Sequence, residues 1–172
     1  MRELIRKHAG VDLQYEDVVE FDYCACPDRT GRCLTKTEWQ AVYLEFTAHH
    51  LDRIEPFEGI QTHLAKLGEY FEIHLATSRL PEGRDATRRW LETHVIPCDE
   101  VHFVSHREKQ KIPESFLAAV DDDRDQARLF LQRGVRPFLL AHPWNRVASD
   151  IGILRVANWI ELADSLIHMA ET

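Results

Sequence analysis

Apolar positions along the chain follow two rhythms. In the first third they recur at helical spacing. Leu4, Ile5 and His8 share one face of a helix over residues 1 to 9, and Gly10 ends it. Trp39, Val42, Tyr43 and Phe46 stand at i, i+3, i+4 and i+7, the stripe of a helix capped by Thr35 or Thr37 and running to about His50. Pro56-Phe57-Glu58-Gly59 introduces another helix, to about Gly68, with Ile60, Leu64 and Leu67 facing inward. From Tyr70 onward short apolar runs alternate with helical stretches. Strands are expected at Tyr70 to Ala76, Val101 to Val104, Leu117 to Val120, Arg136 to Ala141 and Ile153 to Val156. Helices are expected at Asp85 to His94, behind the aspartates up to Gly134, and at Asn158 to Ala170. Strands alternating with helices of about ten residues define βαβ units and a parallel sheet. Right-handed crossovers then put the C-terminal ends of the strands on one rim.

At that rim stands Leu117-Ala118-Ala119-Val120-Asp121-Asp122-Asp123-Arg124. Three consecutive carboxylates where a strand passes into a helix repel one another, and a divalent metal among them relieves that cost. The plainer reading is that they cap the first turn of the following helix. One aspartate would suit that role; three favour a metal or phosphate site at the edge where open α/β sheets bind ligands. The same rim should gather Thr77, Ser78 and Lys111 with Asp121 and Asp122. A hydroxyl, a lysine and paired carboxylates suit phosphoryl chemistry: the first two hold phosphoryl oxygens, and the carboxylates hold a magnesium.

Composition narrows the partners. Lysine and arginine number 21 against 29 aspartates and glutamates, a net charge of −8. That balance argues against a nucleic-acid polymer, which needs a basic field, but leaves room for a small phosphorylated substrate. No apolar run approaches the ~20 residues of a membrane helix, so no membrane partner is expected. Met1 to His8 lacks the apolar core of a signal peptide, so a cytoplasmic protein with reduced thiols is expected. Cys24, Cys26 and Cys33 fall within ten residues, with Cys98, His49 or His50 as an available fourth zinc ligand. They lack the paired Cys-x-x-Cys spacing, and free cysteines in a loop are the better reading. The aromatic stripe of the second helix reads as core before it reads as a base-stacking platform. His102, His106 and His142 fall near the rim and read as solvated or hydrogen-bonded side chains.

In motif order the chain resembles the haloacid-dehalogenase-like (HAD) superfamily, and within it the group containing 5'(3')-deoxyribonucleotidases. Leu75-Ala76-Thr77-Ser78-Arg79 looks like the second motif, Lys111 like the third-motif lysine, and Val120-Asp121-Asp122 like the fourth motif. Lys109 in the same loop competes for the lysine role. Pro56 to Ile60 and Pro143-Trp144-Asn145-Arg146 resemble recurring family segments. The resemblance implies a three-layer Rossmann-like α/β fold over residues 1–172, with residues 12–55 as a small helical cap. It implies Mg2+ on Asp121 and Asp122, phosphoryl contacts from Thr77 and Lys111, and Ser78 and Arg79 lining the entrance.

One part of the pattern is missing. The family's first motif, an apolar strand ending in Asp-x-Asp, supplies the nucleophile, and the chain has no match for it. Val18 to Cys24 imitates it loosely, within the cap region and with Cys24 in place of the second aspartate. Residues 1 to 10 resemble the end of the helix that follows that strand, so about twenty-odd residues are wanting, given usual element lengths. Loss of a central strand leaves its neighbours with unpaired backbone groups. The neighbours close up, another chain donates a strand (as in a homodimer), or the natural polypeptide starts upstream; the last is favoured. The expected function is a magnesium-dependent phosphomonoesterase scaffold of nucleotide 5'-phosphatase type, with negligible turnover in these 172 residues for want of the nucleophile. The alternatives are a non-catalytic HAD-like binding module and a zinc-stabilised binding domain.

Overall fold

A computed structural model describes residues 1–146 and 150–171. The described helices are α1 (Arg2–Ala9), α2 (Lys36–His49), α3 (Ile60–Leu67), α4 (Arg84–Thr93), α5 (Arg124–Gln132) and α6 (Trp159–Glu171). The strands are β1 (His74–Thr77), β2 (Glu100–Phe103), β3 (Ala118–Asp121), β4 (Arg136–Leu140) and β5 (Leu154–Val156). All strand pairing is parallel, so the chain is α/β as its rhythm predicts.

The sheet, however, comes in two pieces. β1 pairs with β2, and β3, β4 and β5 pair in that order. Among the described residues no strand joins β1 to β3, so each keeps one edge without a ladder partner. The two pieces touch where the Phe116 ring meets His74 edge-on, with centroids 5.2 Å apart. The rim expected to be continuous is therefore split: Thr77 ends a strand of one sheet and Asp121 a strand of the other.

β1 is also shorter than the apolar run suggests. The N–H groups of Tyr70 and Phe71 both donate to the Leu67 carbonyl, at 3.0 and 2.9 Å, which prolongs the end of α3. The Ile73 N–H is taken by the Asp99 carboxylate at 2.6 Å. With those donors committed locally, pairing starts only at His74.

Apolar burial forms two cores. The first gathers Leu4, Ile5, Val11, Leu34 and Val42, so α1 packs on α2 and belongs with the helical N-terminal region. The Thr35 capping box fixes where α2 begins: Thr35 Oγ1 accepts from Glu38 N at 3.2 Å, and a Glu38 oxygen accepts from Thr35 N at 2.8 Å. Lys7 and His8 both reach Glu45 across the α1–α2 pair, at 2.8 and 2.6 Å. The second core joins Leu67, Phe138, Leu140 and Val156 to Leu162, Ala163, Leu166 and Ile167 of α6. Each large side chain so buried contributes on the order of 1.5–3 kcal/mol. No described helix is long and apolar enough to cross a membrane.

Contacts at α4 help tie the helical region to the βαβ part. Trp90 Nε1 donates to the Ile54 carbonyl at 2.5 Å. Gly83, at the start of α4, lies so near α2 that a Cβ there would come within 2.9 Å of the Thr47 methyl and 3.1 Å of Leu51 Cδ1. Thr47 is buried and β-branched, so it has little freedom to move aside. Gly83→Ala should therefore destabilise the protein by about 1–2 kcal/mol, an overpacking cost. Gly68→Ala, where the new Cβ meets ordinary contacts at 3.4 Å in right-handed helical backbone, should be neutral or slightly stabilising. Urea denaturation of the two variants measures the contrast.

Candidate functional site

β3 delivers three carboxylates to the start of α5, and the structure gives each a different environment. Asp121, only 7% exposed, accepts from Asp123 N at 3.0 Å through Oδ1 and from Lys109 Nζ at 2.7 Å through Oδ2. Asp123 is buried too and caps α5: its Oδ1 accepts from Asp125 N at 2.9 Å, and its Oδ2 from Arg107 Nε at 3.0 Å. Arg107 also reaches Asp125 at 2.8 Å. The capping role thus falls to one aspartate of the three.

Asp122 differs. Among the described residues no other side chain donates to its carboxyl group. Burial, and then the charge of Asp121, push its pKa up to about 6 against the opposing pull of Lys109. Its backbone carbonyl, by contrast, is held firmly. Trp144 Nε1 donates to it at 3.2 Å and Asn145 Nδ2 at 3.1 Å. Asn145 is itself buried, donating to the Leu140 carbonyl at 2.7 Å and accepting from His142 N at 3.0 Å. The loop after β4 therefore clamps the turn after β3, a positioning role for Trp144 and Asn145 that spacing alone does not reveal.

Aromatic rings from distant parts of the chain cover this corner. His142 and Trp144 stack with centroids 4.4 Å apart, and Tyr15 Oη lies 2.7 Å from His142 Nδ1. Phe21 stacks on His106 at 6.1 Å and meets Trp144 edge-on at 6.5 Å. Burial raises the Tyr15 pKa first, and the Asp122 charge raises it further, which sets this ring beside the carboxylates. Burial, with Arg155 as the second cause, lowers the His142 pKa and favours its neutral form.

The structure places the two candidate lysines of this loop differently. Lys109, not Lys111, meets the aspartates; Lys111 Nζ pairs with Glu108 at 2.5 Å and is largely exposed. The loop makes a single 3-10 turn at Lys109–Lys111, so residues two apart point in different directions. At the end of β1, Thr77 Oγ1 accepts from Arg79 N at 3.3 Å. Arg79 turns its guanidinium to Thr87 Oγ1 of α4 at 3.0 Å, and burial lowers its pKa. It lies against α4. Ser78 is half-buried. No hydrogen bond among the described residues links Thr77, Ser78 or Arg79 to the aspartates.

The cysteines stay apart as ligands. Cys26 is fully buried, with its thiol on the carbonyls of Glu20 and Asp22 at 3.5 and 3.7 Å. Cys24 is half-buried and Cys33 exposed. Among the described residues the three do not form a metal-ligand group. No protein-family model matches the chain, and no curated protein matches it.

Two predictions test this arrangement. Lys109→Met strands the Asp121 charge in a buried position and should cost about 2–4 kcal/mol at neutral pH, whereas Lys111→Met should change stability by less than about 0.5 kcal/mol. Chemical denaturation of both variants reads the difference. The second concerns Asp122 in metal-free protein. Its folded pKa of about 6 stands above the roughly 3.9 of an unfolded aspartate. The native state therefore keeps a proton that the unfolded state has lost, and this group's contribution falls as pH rises from about 4 to about 6. Asp122→Asn removes that slope and should be more stable than the parent by on the order of 2 kcal/mol at pH ~7.5, and by little at pH ~4.5. Urea denaturation with a chelator at the two pH values measures it.

Proposed function

We propose that this chain is the phosphoryl-binding and magnesium-binding scaffold of a HAD-type phosphomonoesterase. The supporting observation is the pair Asp121 and Asp122 at the C-terminal end of a parallel strand, with Lys109 paired to the first and, among the described residues, no cation paired to the second. A carboxyl group forced toward its neutral form beside an ionised neighbour is a site that a hard divalent cation relieves, and an all-oxygen donor set suits magnesium. Asp121 and Asp122 would hold the ion, which neutralises charge on a phosphoryl group.

The other groups take complementary parts. Lys109 would take the role that the resemblance gives to Lys111: an ammonium already at the carboxylates, able to bind a phosphoryl oxygen when a cation takes its place on Asp121. Thr77 offers a hydroxyl at the end of β1. Trp144 and Asn145 fix the Asp122 turn, so the two carboxylates keep a set direction. The rings of Tyr15, Phe21 and Trp144 beside the site suit a planar substrate group, in keeping with a nucleotide. A cytoplasmic setting belongs to the same reading.

Catalysis in this scheme needs an aspartate nucleophile attacking phosphorus, and the described residues offer none at the site. The open edges of β1 and β3 favour a further parallel strand between them, which would unite the two sheets and bring its C-terminal residue to the split rim. A non-catalytic binding module remains the second reading, favoured by that same want of a nucleophile.

Magnesium and turnover test the proposal separately. Magnesium chloride at millimolar levels should raise the melting temperature of the parent protein and leave Asp121→Asn and Asp122→Asn unmoved. The 172-residue chain should show negligible hydrolysis of deoxynucleoside monophosphates, and a longer polypeptide carrying an apolar strand ending in Asp-x-Asp should hydrolyse them in a magnesium-dependent way. No magnesium effect overturns the metal assignment. An inactive longer polypeptide that does bind magnesium overturns catalysis in favour of the binding module.

A further inference from the structure

A second group of metal-type side chains lies on the β1–β2 sheet, apart from the aspartates. In the parallel register His74 stands opposite Glu100, and Ala76 opposite His102. Alternation along the strands puts these four positions on one face of the two-stranded sheet. Leu75, Thr77, Val101 and Phe103 take the other face, where Arg84 and Arg88 of α4 lie 5.3 Å from the Phe103 ring. Two histidines and a glutamate thus share a face that α4 does not occupy. The small Ala76 leaves room beside the His102 ring.

The distances are those of a site close to assembled. His74 Nδ1 and His102 Nε2 are 2.8 Å apart, and the rings stack at 5.1 Å with planes 11° from parallel. One Glu100 oxygen lies 3.9 Å from His74 Nδ1 and the other 3.8 Å from His102 Nδ1. One ligand atom from each of the three residues can be chosen so that all lie within 4.8 Å of one another. Both imidazoles are 12% exposed and the Glu100 side chain 55%, so two ligands are held by packing while the third opens to solvent. Phe116 sets its ring edge against His74 and limits that ring's movement.

We propose that His74, Glu100 and His102 form a binding site for a borderline-soft divalent transition metal, zinc above all. Two imidazoles and one carboxylate form a three-ligand set that zinc accepts with water in the fourth position. Imidazole ligands favour zinc, copper or nickel and disfavour magnesium, which distinguishes this site from the aspartate pair. Zinc holds imidazole nitrogen at about 2.0–2.1 Å, so tetrahedral partners lie roughly 3.3 Å apart. The two ring nitrogens need to separate by only a few tenths of an ångström from their present hydrogen-bonded spacing. The exposed Glu100 carboxylate has the freedom to close on the ion from the solvent side.

The test uses the full chain, stripped with a chelator and kept reduced, then titrated with zinc against a competing indicator and with cobalt for its spectrum. The expected result is one equivalent of zinc at micromolar affinity or tighter, weakened by roughly tenfold or more in Glu100→Gln and in His102→Gln. It is unchanged in Asp121→Asn. The cobalt spectrum should lack a thiolate charge-transfer band, which excludes the cysteines as ligands. Glu100 is exposed, so its variant leaves the packing intact and keeps the test valid even where a histidine variant folds poorly. Absence of stoichiometric zinc, binding that survives Glu100→Gln, or a thiolate band overturns the proposal.

Discussion

Three adjacent carboxylates must share the passage from β3 into α5, and the loops after β2 and β4 answer that constraint. Asp121 is neutralised by an ammonium and by a backbone N–H, Asp123 by a guanidinium and by the helix it caps. Both cations come from the same loop, residues 105 to 111, which is why that loop folds back onto the end of β3. Arg107 even adopts a positive φ of 58° to do so, a conformation unusual for a residue with a side chain. Asp122 receives no such partner. Among the described residues its charge is the least compensated of the three, opposed by burial and by Asp121 and favoured only by Lys109 and its own backbone.

The open edges of β1 and β3 are the second constraint, and they act on the same corner. A parallel strand is normally buried on both faces. Here β1 is half-buried throughout, Val120 of β3 is 36% exposed, and Leu117 before it is 60% exposed. Apolar residues with β-propensity thus stand partly in solvent beside unpaired backbone groups. By contrast β4, paired on both sides, is buried from Pro137 to Leu140. Among the described residues β3 has a ladder partner on one side only, whereas β4 has one on each side. That difference points to the space beside β3 as the place where the fold has burial still to gain.

Much of this was legible in the residues. The stripe of α2, the Thr35 cap, the inward face of α3 and the strand-to-helix passage at Asp121 all depend on contacts a few residues apart, where periodicity and capping chemistry speak directly. Legibility failed where the deciding contact was distant. Nothing near Tyr70 announces that Asp99 will take the Ile73 N–H and shorten β1. The choice between Lys109 and Lys111 rests on the direction of one 3-10 turn. The clamp on the Asp122 carbonyl joins residues more than twenty positions apart. His102 reads as a solvated or hydrogen-bonded side chain near the rim, and only the β1–β2 register makes it a neighbour of His74.

The two candidate sites divide the molecule along its split sheet. The aspartate pair sits on the sheet of β3, β4 and β5 and offers only oxygen. The histidine pair sits on the sheet of β1 and β2 and offers mainly nitrogen. Hard and borderline-soft cations therefore need not compete: magnesium disfavours imidazole, and zinc gains little from a lysine-capped carboxylate when two imidazoles stand nearby. The two sites also differ in what holds them. The aspartates are fixed by side chains from two loops, whereas the histidines are fixed by strand register, so the second geometry persists only while β1 and β2 stay paired. A cation bound there would pin the register of a two-stranded sheet that is otherwise too small for independent stability. That coupling makes the His74–Glu100–His102 site a structural contributor to β1, the strand that carries Thr77 to the rim.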